Sequence, residues 1–209
     1  MGKAGRLIYE GFLVMWDSFW MVWLSNFFWL VLLIPVITIP LAFAGLYACA
    51  HGIVHGESME WGSFFTGIKK HFDASLRWTF ANLFVSFLLG FYAWFFITQT
   101  DRAGRSSTWI GIVLALALLW WILNMYTFPF MLVQAKPSYL NALRNSAVLF
   151  IKWPGQALGF TLFNLIVIFI SFWLRFPWLV FGASLPALMA CLLVKDIVDQ
   201  VNETNLVKS

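Results

Sequence analysis

His51 and His55 stand one helical turn apart, with Glu57 two residues further on and His71 later in the chain. Imidazoles at that spacing share one helix face and can share a metal ion. Here Gly52 follows the first histidine, so the H-E-x-x-H pattern is not met, and a third ligand requires His71 to fold back. The pair reads as interfacial histidines closing an apolar segment, and no metal or cofactor is expected. Deeper in apolar sequence lie Asn26, Thr38, Asn82, Asn124 and Asn164. Such side chains either bond helices to one another or line a polar path. Ionisable groups inside an apolar span mark functional sites by default, and these runs contain no Asp, Glu, Lys or Arg, which argues against proton-coupled transport. The chain carries no phosphate-binding glycine loop, nucleophile elbow or dinucleotide fingerprint. The expectation is a protein that is not an enzyme.

The elements that hold these residues follow from composition. Of 209 residues 62% are apolar and 20% aromatic, while 13 basic and 9 acidic side chains make up 11%. A soluble chain is about one-quarter charged, and a single core cannot hide this much apolar surface. A soluble enzyme is excluded, as is a disordered chain, which needs low hydrophobicity. Cys49 and Cys191 are two thiols within apolar sequence, too few for a disulfide framework. The net charge of +4 orients the chain on anionic lipid and needs no nucleic-acid partner.

Asp, Glu, Lys and Arg are missing from Ser18 to Gly56, Trp78 to Thr100, Ser106 to Ala135, Trp153 to Leu174 and Phe176 to Val194. About 20 helical residues cross a hydrocarbon core of about 30 Å, and continuous apolar runs exclude a barrel. Four runs match one span each. The first is far too long for one and carries Pro35 and Pro40, so it forms either one kinked helix or two helices meeting at the prolines. Two helices give an all-α membrane domain over 1–209 with six spans, about 18–35, 39–56, 78–100, 107–133, 155–174 and 177–195. One helix gives five.

Cytoplasmic loops collect Lys and Arg. Six spans place Lys3, Arg6, Lys69, Lys70, Arg77, Lys136, Arg144, Lys152, Lys195 and Lys208 on one side, and Arg102, Arg105 and Arg175 on the other. Five spans move Lys3 and Arg6 across and weaken the bias. The expectation is therefore six spans in a bacterial cytoplasmic membrane, with both termini cytoplasmic. Tryptophans favour the headgroup zone, but Trp23, Trp29, Trp120 and Trp121 lie within apolar runs and are expected to pack between helices.

Two segments between spans have helical periodicity and basic character. Phe64, Phe65, Ile68, Phe72 and Leu76 share a face opposite Lys69, Lys70 and Asp73, and Tyr139, Leu140, Leu143, Ala147 and Phe150 share one beside Arg144 and Lys152. Both predict cytoplasmic amphipathic helices at the interface. Phe64, Phe65, Lys69, Lys70, Arg144 and Lys152 form a candidate face for lipid or a docking partner. Lys69, Arg77 and Trp78 align with Arg144, Lys152 and Trp153 at a constant offset of 75. The alignment fits a parallel internal duplication or two similar interfacial loops.

The segment Asn26-Phe-Phe-Trp29 through Pro35 and Thr38, then Ala44-Gly-Leu46-Tyr47, resembles the opening of the YesL family of bacterial membrane proteins. The loop Phe64 to Phe72, Tyr126-Thr-Phe128-Pro129, and Leu140 to Asn145 resemble that family in order and spacing, over about residues 15–195. Pro40 departs from it, standing where the family pattern has glycine. The resemblance implies a membrane-embedded accessory or scaffold protein associated with carbohydrate uptake, with a carbohydrate ABC importer component as partner. It implies no activity and no active-site residues. The alternative is a small permease for a polar solute, as a homo-oligomer.

Overall fold

Leu7, Gly11 and Met15 recur at four-residue spacing, and that stripe is the buried face of the first helix, α1 (Lys3–Asp17). Its opposite side carries Arg6, whose guanidinium donates to Glu10 at 2.8 Å. The computed structural model describes residues 2–98, 106–174 and 176–206, and among these there is no strand. Arg102, Arg105, Arg175 and Lys208, used in the charge comparison, and the end of the 78–100 segment lie outside the described residues.

At Ser18 the chain turns by 85° into α2 (Phe19–Leu33). Pro35 follows, then one 3-10 turn (Val36–Thr38), then α3 (Ile39–Val54). Pro40 falls in the first turn of α3, where its missing N–H would have no helical partner. The long uncharged run is therefore two helices meeting at the prolines. Each is short: α2 has 15 residues, about 22 Å. The first helix begins well before the apolar run, and the 18–35 span expected from charge alone becomes α2 with a separate α1 ahead of it.

The second apolar run, expected as the third span, is the second half of α4 (Ser63–Thr98), a continuous 36-residue helix. At about 1.5 Å per residue it is about 54 Å long, well beyond a hydrocarbon core. The expected interfacial helix around Phe64 to Arg77 is thus not separate but the first turns of α4, because nothing between Leu76 and Phe80 breaks the helix. The corresponding place in the second half behaves differently. After α5 (Ser106–Leu132), α6 (Tyr139–Lys152) ends at Trp153, and Pro154 opens α7 (Pro154–Leu174). Thr79 after Trp78 lets α4 run on, whereas Pro154 after Trp153 forces a new helix.

The final expected span, 177–195, is also interrupted. It is a six-residue α8 (Phe176–Phe181), a break at Gly182 and Ala183, and α9 (Ser184–Leu206). A Cβ on Gly182 would come within 2.7 Å of the Trp178 carbonyl oxygen, so the turn closes only with glycine.

The centre of the molecule is built from α3 and α9. Ala42, Ala44, Leu46 and Cys49 of α3 and Leu188, Met189, Ala190, Leu193 and Val194 of α9 have almost no exposed surface. Small residues let α4 close on α3: Gly45 faces the ring of Phe64, and Gly67 faces Ala48. The outward faces of α4, α5 and α7 carry Phe80, Phe84, Phe87, Leu114, Leu118, Leu162 and Phe169, a surface suited to lipid. Among the described residues four helical segments are long and apolar enough to cross a membrane: Val36–Val54, α4, Thr108–Leu132 and α7. The bent pair α1–α2 makes a fifth if taken as one span.

Candidate functional site: an aromatic cavity among helix ends

The five polar residues singled out by sequence divide by location. Asn26 of α2 holds the break between α8 and α9. Its Nδ2 donates to the carbonyl oxygens of Trp178 (3.1 Å) and Leu179 (2.9 Å). Its Oδ1 accepts the backbone N–H groups of Ala183 (3.0 Å) and Ser184 (3.3 Å). An interrupted helix leaves backbone groups that lipid cannot satisfy, and one amide meets four of them. Thr38 does similar work at the α2–α3 turn, where its hydroxyl faces the carbonyl oxygens of Leu32 and Pro35.

Asn82 and Asn124 meet across α4 and α5. Asn82 Nδ2 donates to Asn124 Oδ1 (3.2 Å) and to the Trp78 carbonyl (2.8 Å), and Asn82 Oδ1 accepts Trp120 Nε1–H (3.1 Å). Tyr139 of α6 donates its hydroxyl to Asn124 Oδ1 at 3.2 Å. Burial pushes the Tyr139 phenol up to about 12, and the hydrogen bond to Asn124 offsets part of that rise. Asn164 is fully buried in α7, with Nδ2 on Met125 Sδ at 3.3 Å.

Asn82 and Asn124 also line a cavity of about 430 Å³. Its walls are Trp29, Phe43, Tyr47, Trp78, Trp121 and Trp178, with Thr79, Ser86, Leu83, Met125 and Ile168 between them. Ile39 at the start of α3, and Ala183, Pro186 and Ala187 at the start of α9, also line it. Both asparagines already have protein partners. Three donors do not: Trp29 Nε1, Trp78 Nε1 and Thr79 Oγ1 are buried without a hydrogen-bond partner. Leaving such a group unpaired costs about 1–3 kcal/mol. A large apolar pocket with a few convergent polar groups is the usual form of a ligand site.

Sequence reasoning found the two asparagines and missed the donors. Trp29 was placed between helices, where it packs against Phe43 and Trp178. Trp121 departs from that expectation, with 69% of its surface exposed at the cavity rim. Thr79 is one ordinary polar residue opening an apolar run, and only its place beside Trp78 could have drawn notice.

The other candidates sit elsewhere. His51 and His55 have ring centroids 4.0 Å apart, and His55 Nδ1 lies 2.8 Å from the His51 carbonyl oxygen. His71 does fold back, close enough with Lys70 and Lys195 to act electrostatically on His51. Among the described residues no three His, Cys, Asp or Glu side chains are placed to hold a metal ion. Of the candidate docking face, Lys69, Lys70, Arg144 and Lys152 are exposed. Phe64 is not part of that face, since it is 1% exposed and seated on Gly45. Its neighbour Phe65 keeps an outer edge while its ring meets Phe28 at 5.1 Å. Arg144 shares a shallow polar cleft with Gln134, Lys136, Asn141 and Asn145.

Comparison of the chain with protein-family models, with curated proteins and with solved structures gave no match.

Proposed function

We propose that this chain is a multi-pass protein of the bacterial cytoplasmic membrane that acts as an accessory or scaffold in carbohydrate uptake, holding a ligand within its helices rather than transforming it. The observation that carries the binding role is the cavity: aromatic side chains enclose about 430 Å³ with Asn82 and Asn124 at its wall, and its lining holds no carboxylate, imidazole or cation. Such a lining can grip and orient a molecule, but it offers no acid–base pair. The link to carbohydrate uptake rests on the YesL resemblance.

In this reading the chain crosses six times, with the α2–α3 hairpin as the first two passes and α8–α9 as the last. Supporting it, Lys3 Nζ lies 3.5 Å from Asp196, which brings the N-terminal helix beside the later part of α9. Both termini then share the side bearing Lys69, Lys70, Arg144 and Lys152. Those cations meet anionic headgroups and offer a docking face for an importer component. A pulldown in mild detergent tests the partnership. Importer subunits should be recovered with the wild type and reduced by the pair Lys69→Glu and Lys70→Glu, with membrane insertion unchanged. Recovery of no importer subunit with either protein would refute the accessory role.

A second reading has specific support. Asn82 and Asn124 converge on one cavity, as a permease for a polar solute requires. It predicts solute flux by the protein alone, or by a homo-oligomer of it.

A further inference from the structure

Lys136, Asn141, Arg144 and Asn145 border a shallow cleft of about 400 Å³ where the chain passes from α5 to α6. All four are exposed. Asn141, Arg144 and Asn145 stand at i, i+3 and i+4, so they share one side of α6. The inward side of that helix is fixed. Ala142, Ser146 and Leu149 are buried, and the Ser146 hydroxyl lies 3.2 Å from that of Thr127 in α5. The loop that carries Lys136 is also held. Gln134 Oε1 accepts the Ser138 N–H at 2.8 Å, and Arg77 Nη1 of α4 donates to the Pro137 carbonyl oxygen at 3.4 Å. Packed elements thus set both walls of the cleft.

The charge around it is one-sided. Lys136 and Arg144 bring two cations, the asparagine amides bring N–H donors, and the lining holds no carboxylate. The sequence has no Asp or Glu between Asp101 and Asp196. Asp73, on the helix that reaches Pro137, is engaged by the Arg77 guanidinium. Among the described residues neither Lys136 nor Arg144 makes an ion pair, and the Asn141 and Asn145 side chains have no hydrogen-bond partner. Two unspent cations and two unspent amides around one hollow suit a compact anion with several oxygens. Phosphate is such a group: a guanidinium grips it through two parallel N–H···O bonds, and an ammonium adds a point charge.

The cleft also lies at the level where phosphates line a bilayer. It follows directly on Thr108–Leu132, a segment long and apolar enough to cross a membrane. Leu140 and Ile151, one and two turns from Arg144 on its own side of α6, are 74% and 78% exposed. A helix of this kind sinks its apolar side chains at the acyl boundary and keeps its cations among the headgroups.

We propose that the cleft between α5 and α6 is a phosphate-binding site, in which Arg144 and Lys136 hold the charge and Asn141 and Asn145 donate to the remaining oxygens. The phosphate is that of a lipid headgroup or a free ion from the water, and both present the same oxygens. The proposal concerns neither the aromatic cavity nor the importer partnership, which is tested at Lys69 and Lys70. The full chain in mild detergent is titrated with dioctanoylphosphatidylglycerol, counting bound lipid by native mass spectrometry. Dioctanoylglycerol, which lacks the phosphate, is the comparison. A separate calorimetric titration uses inorganic phosphate.

The phospholipid should saturate at one per chain and bind about tenfold more tightly than dioctanoylglycerol. Arg144→Gln should weaken it about tenfold and Lys136→Gln about fivefold. Lys152→Gln removes the same charge from the far end of α6, outside the cleft, and should weaken it about twofold or less. Saturable binding of inorganic phosphate that is lost in Arg144→Gln, without selectivity for the phospholipid, keeps the site and makes its ligand the soluble ion. Equal wild-type affinity for the two lipids, together with no saturable binding of inorganic phosphate, overturns the proposal and needs no variant to fold. Equal losses in Arg144→Gln and Lys152→Gln also overturn it, by reducing the cleft to part of a diffuse basic face.

Discussion

Asn26 shows how one side chain can hold together a helix that its own sequence breaks. Its four bonds reach both sides of the α8–α9 interruption. Single polar contacts between membrane helices are worth about 0.6–2 kcal/mol, and here several backbone groups lose their partner at once. Asn26→Ala should therefore destabilise by about 2 kcal/mol or more, seen as a lower melting temperature in detergent. Asn26→Asp keeps the acceptor for Ala183 and Ser184 but turns a carboxylate oxygen toward two carbonyls, so it should not rescue. Unchanged melting for Asn26→Ala would show that the break is held by packing alone. Tyr139 makes a smaller claim. A phenol raised from 10.0 to about 12 on folding stabilises the fold fully below pH 10, and that contribution is lost as pH rises through 12. Tyr139→Phe should remove this part of the alkaline decline, measured as melting temperature against pH.

At the scale of elements, the contact between α3 and α4 decides whether the hairpin is firmly seated. A Cβ on Gly67 would sit 2.4 Å from Ala48 Cβ, while one on Gly90 of the same helix meets nothing within 4 Å. Gly67→Ala should cost about 1–3 kcal/mol through overpacking. Gly90→Ala should instead stabilise, by up to about 1 kcal/mol, through helix propensity. Equal effects in detergent melts would mean that α3 is not packed on α4 as described. The same elements show what sequence could convey. Charge-free runs located α5 and α7, and Pro35 with Pro40 located the α2–α3 turn, because prolines and charges act locally. The fusion of the Phe64–Arg77 segment into α4 was not legible, since amphipathic periodicity says nothing about where a helix stops. Nor was the break in the last span, which depends on Asn26, more than 150 residues away in sequence, accepting the freed N–H groups. In the candidate site, asparagines in apolar sequence announced themselves. The unpartnered indoles did not, because a tryptophan at a lipid interface, in a packed core and in a ligand site looks the same in one dimension.

For the whole molecule, the central α3–α9 pair, the lipid-suited faces of α4, α5 and α7, and the cavity among them suit the proposed role of a bilayer scaffold that holds a ligand and presents a basic face. Reporter fusions at residue 5 and at residue 209 should both register the cytoplasm, because Lys3 and Asp196 lie side by side. Opposite readings would reduce the passes to an odd number. The central claim, that this protein supports uptake without itself conducting the solute, is tested most directly by reconstitution. Purified protein in liposomes, with no ATPase subunit present, should show sugar entry no faster than protein-free liposomes. Robust, saturable sugar flux from the protein alone, lost in Asn82→Leu and Asn124→Leu, would contradict the account and make the cavity a permeation path.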